Sequence, residues 1–179
     1  MNQFTLLQNK ISQNFKINNI NNQQELKFKN GRYIGQVVNG LREGKGIYYI
    51  FNGDRYEGEW RNDKRDGKGI AYYNNGDIYE GDFRNDKSEG KGIYYYHDGD
   101  IYEGDFRNGK PEGKGIEYYN KESFKGDRYE GDYRNDKREG KGIYYFNNGN
   151  RMMGDYYNNK PIGKHVMLTR NGEVKIKNY

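Results

Sequence analysis

The clearest pattern in the chain is a short alternation of aromatic and acidic positions. In Tyr56-Glu57-Gly58-Glu59-Trp60 the side chains of Tyr56, Gly58 and Trp60 fall on one side of a strand, and those of Glu57 and Glu59 on the other. The next segment, Arg61-Asn62-Asp63-Lys64-Arg65, is polar, rich in turn formers, and reads as a loop. Gly67-Lys68-Gly69-Ile70-Ala71-Tyr72-Tyr73 then reads as a return strand. Its glycines carry no side chain, so rings of the facing strand can lie across the backbone there. Asn75-Gly76-Asp77 turns the chain again, because Asn-Gly tolerates positive φ. Strand, turn and strand make a β-hairpin.

The hairpin recurs. Tyr33, Tyr56, Tyr79 and Tyr102 stand 23 residues apart, Tyr129 follows after 27 and Met152 after a further 23. Residues 56–78 give the full phrase, and residues 79–101 repeat it as YEGDFRNDKSEGKGIYYYHDGDI. The unit at 102–128 carries four additional residues near Lys121–Lys125. One hairpin is marginal in water, since two strands bury too little to offset their ordering entropy. Stacked edge to edge, hairpins cover one another's rings. The expected fold is all-β: an elongated single-sheet solenoid of stacked antiparallel hairpins over 31–174, in units 33–55, 56–78, 79–101, 102–128, 129–151 and 152–174.

This phrase closely resembles the MORN motif, roughly YEGEW-x-NG-K-x-HG-x-G followed by an aromatic strand and a Gly-Asp turn. The resemblance covers residues 33–174. The first unit departs from it as Tyr33-Ile34-Gly35-Gln36-Val37, without the acidic pair. The last reads Met152-Met153-Gly154-Asp155-Tyr156, with His165 in place of its second glycine. Terminal units that drift from the consensus suit the caps of an open array.

The ends differ from the body. Of residues 1–30, 13 are Asn or Gln, and Phe4, Leu7, Ile11 and Phe15 are spaced like one stripe of a helix. A short helix or tail capping the first hairpin is expected, with a partner-docking or targeting helix as the sharper alternative. A transit peptide would carry Arg and Ser, and this stretch has no Arg and little Ser. Leu26–Asn30 leads into Gly31-Arg32-Tyr33 as each return strand leads into the next anchor, like half a repeat. Residues 175–179 read as a basic tail.

Composition narrows the chemistry. With 20 Tyr, 8 Phe, 26 Gly and 2 Pro, the chain lacks the aliphatic residues of a layered core. The absence of Cys excludes thiol nucleophiles and Cys-ligated zinc, and points to a reducing, cytoplasmic setting. The net charge of +5 is carried by the ends, because residues 31–169 hold 24 Lys/Arg and 24 Asp/Glu. No basic stripe for nucleic acid follows. Glu57, Glu80, Glu103 and Glu130 recur with the repeat, and identical copies along an array suit cross-strand pairing better than an active site. Asp98-Gly99-Asp100 lacks the further ligands of a calcium loop, and His97 and His165 have no zinc-helix partner. No catalytic residue, metal or cofactor is expected.

Arrays of this family occur beside kinase and methyltransferase domains that these 179 residues lack. The resemblance therefore implies a recognition scaffold with no enzymatic activity. One reading makes it a protein-binding adaptor in a cytoskeletal or ciliary assembly, using the stripe Tyr33, Tyr56, Trp60, Tyr79, Phe83, Tyr102, Phe106, Tyr129 and Tyr133. Aromatic anchors of this kind make binding hot spots. The bland alternative is that these rings only pack between repeats. A second function class is anionic phospholipid binding at the membrane periphery, through Phe4, Leu7, Lys10, Ile11, Phe15, Lys16, Lys175 and Lys177. A third is a homodimer through an open sheet edge at Val166–Leu168.

Overall fold

In the computed structural model, which describes residues 23–179, the predicted five-residue loop of each hairpin has contracted to two. Asn62 and Asp63 both take left-handed backbone, at φ 48° and 65°, and Arg61 and Lys64 already belong to strands. Two consecutive left-handed residues make the turn whose twist matches that of paired strands, and Asn and Asp tolerate it. The pair recurs as Asn39-Gly40, Asn85-Asp86, Asn108-Gly109, Asn135-Asp136 and Asn158-Asn159. The connection between repeats is the expected Asn-Gly-Asp turn. At Gly76, φ is 94°, and the Tyr73 amide donates to the Asp77 carbonyl at 3.0 Å.

Fourteen strands follow chain order in one antiparallel sheet. The chain divides into two compact units between Lys87 and Ser88. The first holds β1 (Gln24–Phe28), β2 (Gly31–Val38), β3 (Leu41–Ile50), β4 (Arg55–Arg61), β5 (Lys64–Tyr72) and β6 (Ile78–Arg84). The second is built from β7 (Lys87–Tyr95), β8 (Ile101–Arg107), β9 (Lys110–Tyr118), β10 (Arg128–Arg134), β11 (Lys137–Tyr145), β12 (Arg151–Tyr157), β13 (Lys160–Leu168) and β14 (Val174–Asn178). No helix occurs among the described residues. Strand β1 pairs Leu26 with Tyr33, as a half-repeat should.

Two expectations change at the C-terminal end. Residues 174–178 are a strand, because Thr169–Glu173 repeats the turn of the other units and brings Ile176 opposite Val166. Val166–Leu168 is therefore not an open edge. It lies inside the sheet, and β14 has taken the edge position. The four additional residues of the fourth unit form a wider turn, Phe124 donating its amide to the Lys121 carbonyl at 2.9 Å. They leave the ladder intact, with Arg128 opposite Tyr118.

The core is a row of tyrosines lying flat on glycines. Gly58 pairs with Gly69 across β4 and β5, and a Cβ at Gly69 would come within 2.6 Å of Tyr56 Cζ. Tyr33 covers Gly35 and Gly46, Tyr102 covers Gly104 and Gly115, and Tyr129 covers Gly131 and Gly142 in the same way. Immediately after the first glycine of each pair the ladder slips by a β-bulge, between Gly58 and Trp60 and between Gly104 and Phe106. The phenol closes over that bulge. Tyr33, Tyr56, Tyr79 and Tyr102 each donate to the backbone carbonyl three residues on, at 2.8–3.0 Å.

Candidate functional site

The two faces of the sheet are unlike. On the anchor face, Tyr56, Tyr102 and Tyr129 each meet an aromatic ring edge-on in their own repeat and another in the next, and Tyr33, whose own repeat has Val37 at that place, meets only the ring of the next. Tyr56 lies 5.1 Å from Trp60 and 4.9 Å from Phe83, and Tyr33 lies 5.4 Å from Trp60. In the second unit Tyr102 meets Phe106 at 5.2 Å and Tyr133 at 4.9 Å, and Tyr129 meets Tyr133 at 5.6 Å and Tyr156 at 4.9 Å. Such T-shaped contacts align ring edge with ring face. The stripe Tyr33, Tyr56, Trp60, Tyr79, Phe83, Tyr102, Phe106, Tyr129 and Tyr133 is 0–7% exposed throughout. As the fold stands, these nine side chains are core, with little surface to offer a partner. Burial pushes the Tyr33 phenol up to about 12 and raises those of Tyr56, Tyr102, Tyr129 and Tyr133 as well.

Arginines and acids finish this face. The Arg42 guanidinium lies 4.2 Å from the centre of the Trp60 ring, and Nε donates to Asp63 at 3.1 Å. In the fourth repeat, Glu117 takes the place that Tyr48 and Tyr94 hold elsewhere. It accepts hydrogen bonds from Tyr119 at 2.7 Å and Tyr133 at 3.2 Å, and pairs with Arg138 at 2.9 Å. The last repeat swaps its parts. Met152 stands where a tyrosine would, and the ring of His165 lies over Gly154 in the tyrosine's place. His165 is fully buried, edge-on to Tyr156 at 5.3 Å and Tyr179 at 5.0 Å, and neither ring nitrogen has a hydrogen-bond partner. Burial holds its pKa below the ordinary value, against the opposing pull of the nearby Gly163 backbone and of Asp155.

The polar side chains along the margins of the hairpins have separate tasks. The bulge residues Gln36, Glu59, Asp105 and Asp132 accept the backbone amides of Lys45, Lys68, Lys114 and Lys141 at 2.8–3.2 Å. Another acid in three of the return strands reaches the next turn: Glu43, Glu89 and Glu112 accept the amides of Asn62, Asn108 and Asn135 at 2.9–3.0 Å. On the other margin Asp54, Asp100 and Asp127 accept the amides of Asn74, Asn120 and Asn147 at 2.7–2.8 Å. The Asp98-Gly99-Asp100 turn engages Lys121 at 2.8 Å, and that hydrogen bond lowers the Asp98 pKa. No cluster able to hold a metal ion occurs among the described residues.

The opposite face is only half covered. One row there runs Ile34–Ile47–Glu57–Ile70–Glu80 in the first unit and Glu103–Ile116–Glu130–Ile143–Met153–Val166–Ile176 in the second. Beside it stand Tyr49–Arg55–Tyr72–Ile78, and Ile101–Tyr118–Arg128–Tyr145–Arg151–Leu168. Arg55 lies over Tyr72 at 4.0 Å and reaches Glu57 at 4.0 Å; Arg128 does the same to Tyr145 at 4.1 Å and Glu130 at 4.0 Å. At the corresponding place the third and fourth repeats carry Ile78 and Ile101, which supply no cation for Glu80 and Glu103. Burial raises the pKa of Glu57 and of Glu80. A third row is an ion-pair ladder, Lys68–Asp82 at 2.6 Å, Lys114–Asp132 at 2.5 Å and Lys141–Asp155 at 3.3 Å. The exchange of Arg for Ile is written in the residue preceding each anchor, and it gains meaning only once that residue is seen beside the acid two positions on.

Of the remaining sequence-predicted site residues, Lys175 and Lys177 lie on exposed β14, and Lys175 pairs with Glu173 at 3.1 Å. Phe4, Leu7, Lys10, Ile11, Phe15 and Lys16 lie outside the described residues.

A family model for the MORN repeat matches residues 33–55, 56–78, 79–101, 102–123 and 129–151. The chain belongs to the MORN-repeat family. The sixth unit, 152–174, falls outside that match yet keeps the MORN hairpin, with Asn158-Asn159 at its turn and the bulge after Met153. No curated protein matches the chain. Among solved structures it is similar to the TCP domain of SAS-4 (dCPAP) of Drosophila Melanogaster, solved in complex with a proline-rich motif of Ana2 (dSTIL). The TM-score is 0.52 at 14% identity, over 88% of this chain and 90% of that one, a likeness of fold. MORN repeats are non-catalytic modules of protein or lipid interaction.

Proposed function

We propose that this MORN array is a non-catalytic scaffold that holds a protein partner within a larger assembly of cytoskeletal or ciliary type. The contrast between the faces carries the reading. The anchor face is consumed by ring packing, whereas the opposite face of the Ser88–Tyr179 unit keeps part-exposed Ile101, Ile116, Tyr118 and Tyr145 around Glu103, which has no arginine beside it. Rows of partly exposed apolar side chains with a polar margin mark interaction surfaces. Phospholipid binding at the membrane periphery is the alternative reading, and of the residues it would use Lys175 and Lys177 stand exposed on β14. The similar domain bound to a proline-rich motif supports a peptide-sized partner.

The test is affinity capture of the tagged chain from its own cells with mass spectrometry, run beside flotation on anionic vesicles. Cytoskeletal or axonemal proteins in the soluble capture are expected. Recovery with membranes alone, lost at high salt, would replace the scaffold by electrostatic lipid recognition. A concentration-dependent dimer in light scattering would instead point to a second copy at β14.

A further inference from the structure

We infer that the opposite face of the Ser88–Tyr179 unit takes an extended proline-rich peptide carrying a basic side chain, lying across the strands with one turn of polyproline helix per repeat. The inference rests on the scaffold reading and names its ligand class.

The argument is one of pitch. Each repeat contributes two strands, and at about 4.8 Å per strand equivalent side chains recur roughly every 9.6 Å across the sheet. Tyr118, Tyr145 and Leu168 are such a series, one apolar side chain per return strand, all part-exposed. A polyproline II helix has three residues per turn at about 3.1 Å each, hence a pitch of about 9.3 Å. Over two repeats it drifts from the series by only about 0.6 Å. An α-helix lying the same way presents every seventh residue at about 10.5 Å and drifts about 1.8 Å. A β-strand ligand presents one face every ~6.7 Å, which is incommensurate with the repeat. The preformed polyproline helix also loses little entropy on docking against aromatic rings.

Charge supplies the second constraint. Glu103 is exposed and has no ion pair or hydrogen bond among the described residues, because Ile101 occupies the place from which Arg128 reaches Glu130. Ile101 and Ile116 flank it on the neighbouring positions of β8 and β9. A carboxylate bordered by isoleucines, one step from Tyr118, is complementary to an Arg or Lys on the peptide. In the ion-pair ladder the lysines Lys114 and Lys141 are already paired, so they do not compete for Glu103.

The probe is a fluorescent synthetic peptide of Pro-Pro-Arg triplets, about four turns long, titrated by anisotropy against the full chain. A peptide of Gly-Gly-Arg triplets gives the same charge without the helix. Saturable binding of the first, at least about fivefold tighter than the second, is expected. Glu103→Lys should weaken it by about fivefold or more, and a Pro-Pro-Glu peptide should recover affinity for that variant. Tyr118→Ala should weaken both proline peptides; thermal melting of each variant verifies that it is folded. Equal binding of the proline and glycine peptides, no binding, or indifference to Glu103→Lys would each overturn the inference. If capture from cells still yields a protein partner, the scaffold reading survives that failure.

Discussion

Replacing Gly69 with Ala tests whether the anchor face is held by rings lying on bare backbone. In an extended strand, Ala should be favoured over Gly by about 0.5–1 kcal/mol through chain entropy. Against that, the new Cβ would sit 2.6 Å from Cε2 and Cζ of Tyr56, a residue only 2% exposed. The ring must lift, and it then forfeits its contacts with Trp60 at 5.1 Å and Phe83 at 4.9 Å and its hydrogen bond to the Glu59 carbonyl at 3.0 Å. Two ring pairs are worth about 1–3 kcal/mol and the hydrogen bond about 1 kcal/mol. Lost burial adds to this, so a net cost of about 3 kcal/mol is expected, a large part of the ~5–15 kcal/mol of an ordinary domain. Trp60, the single tryptophan, reports on the same cluster. Urea unfolding followed by its fluorescence should show the midpoint falling by about 1–3 M. A shift under about 0.3 M would refute the reasoning. The last repeat suggests the rescue. Tyr56→Met with Gly69→His copies Met152 and His165, and a double-mutant cycle should give a favourable coupling of about 1 kcal/mol or more. A double variant less stable than Gly69→His alone would sink the idea that the two rings exchange one space.

Further outcomes follow from single contacts. Tyr102 donates to the Asp105 carbonyl at 3.0 Å, whereas the buried Tyr129 hydroxyl has no partner. Tyr102→Phe should cost about 1 kcal/mol while Tyr129→Phe is neutral or stabilising, as chemical denaturation would reveal; equal costs would be inconsistent with this. Asp63→Ala removes acceptors of Arg42 and places Ala at φ 65°, so a loss of about 1–2 kcal/mol is expected in thermal melts, whereas Asp63→Gly should cost less. Because the folded pKa of His165 is lowered, the unfolded chain binds its proton more readily, so this contribution is intact above about pH 6.5 and shrinks as pH falls below it. Protection factors in β13 and β14, exchange rates corrected for the intrinsic slowing of amide exchange in acid, should fall on going from neutral to mildly acidic pH, and His165→Phe should abolish that dependence.

The hairpin, its Asn-Gly-Asp connection and the rings on glycine were all legible in the sequence, because each rests on neighbours within one 23-residue phrase. The destination of the aromatic stripe was not. Tyr56 and Tyr72 are equally aromatic and lie on opposite faces, and what buries the first is the Gly58–Gly69 pair opening a flat bed beneath it. That depends on cross-strand register and on the bulge, neither visible in a linear pattern. Strand β14 was hidden for a different reason. Val174-Lys175-Ile176-Lys177 alternates as a strand should, but its lysines read as a solvated tail until the Asn171-Gly172 turn is recognised as the sixth copy of the inter-repeat connection. On the opposite face, the exchange of Arg55 for Ile78 looked like ordinary variation because its partner acid lies two residues away, on the same side of the strand.

The two rows of turns set unequal limits on growth. Within each hairpin the connection is a two-residue pair in left-handed backbone, and at Asn62, Asn108 and Asn135 the amide of its first residue is fixed by an acid from the preceding return strand. A single added residue there would break the turn geometry and the acid's reach together. Between hairpins, residues 121–125 enlarge the turn while Asp100 and Asp127 keep their amide contacts on either side and β10 resumes in register. The repeat thus has one rigid margin and one permissive margin. New loops, tags or grafted binding segments belong on the permissive side, where the chain has already accommodated one insertion without disturbing a single rung of the ladder beside it.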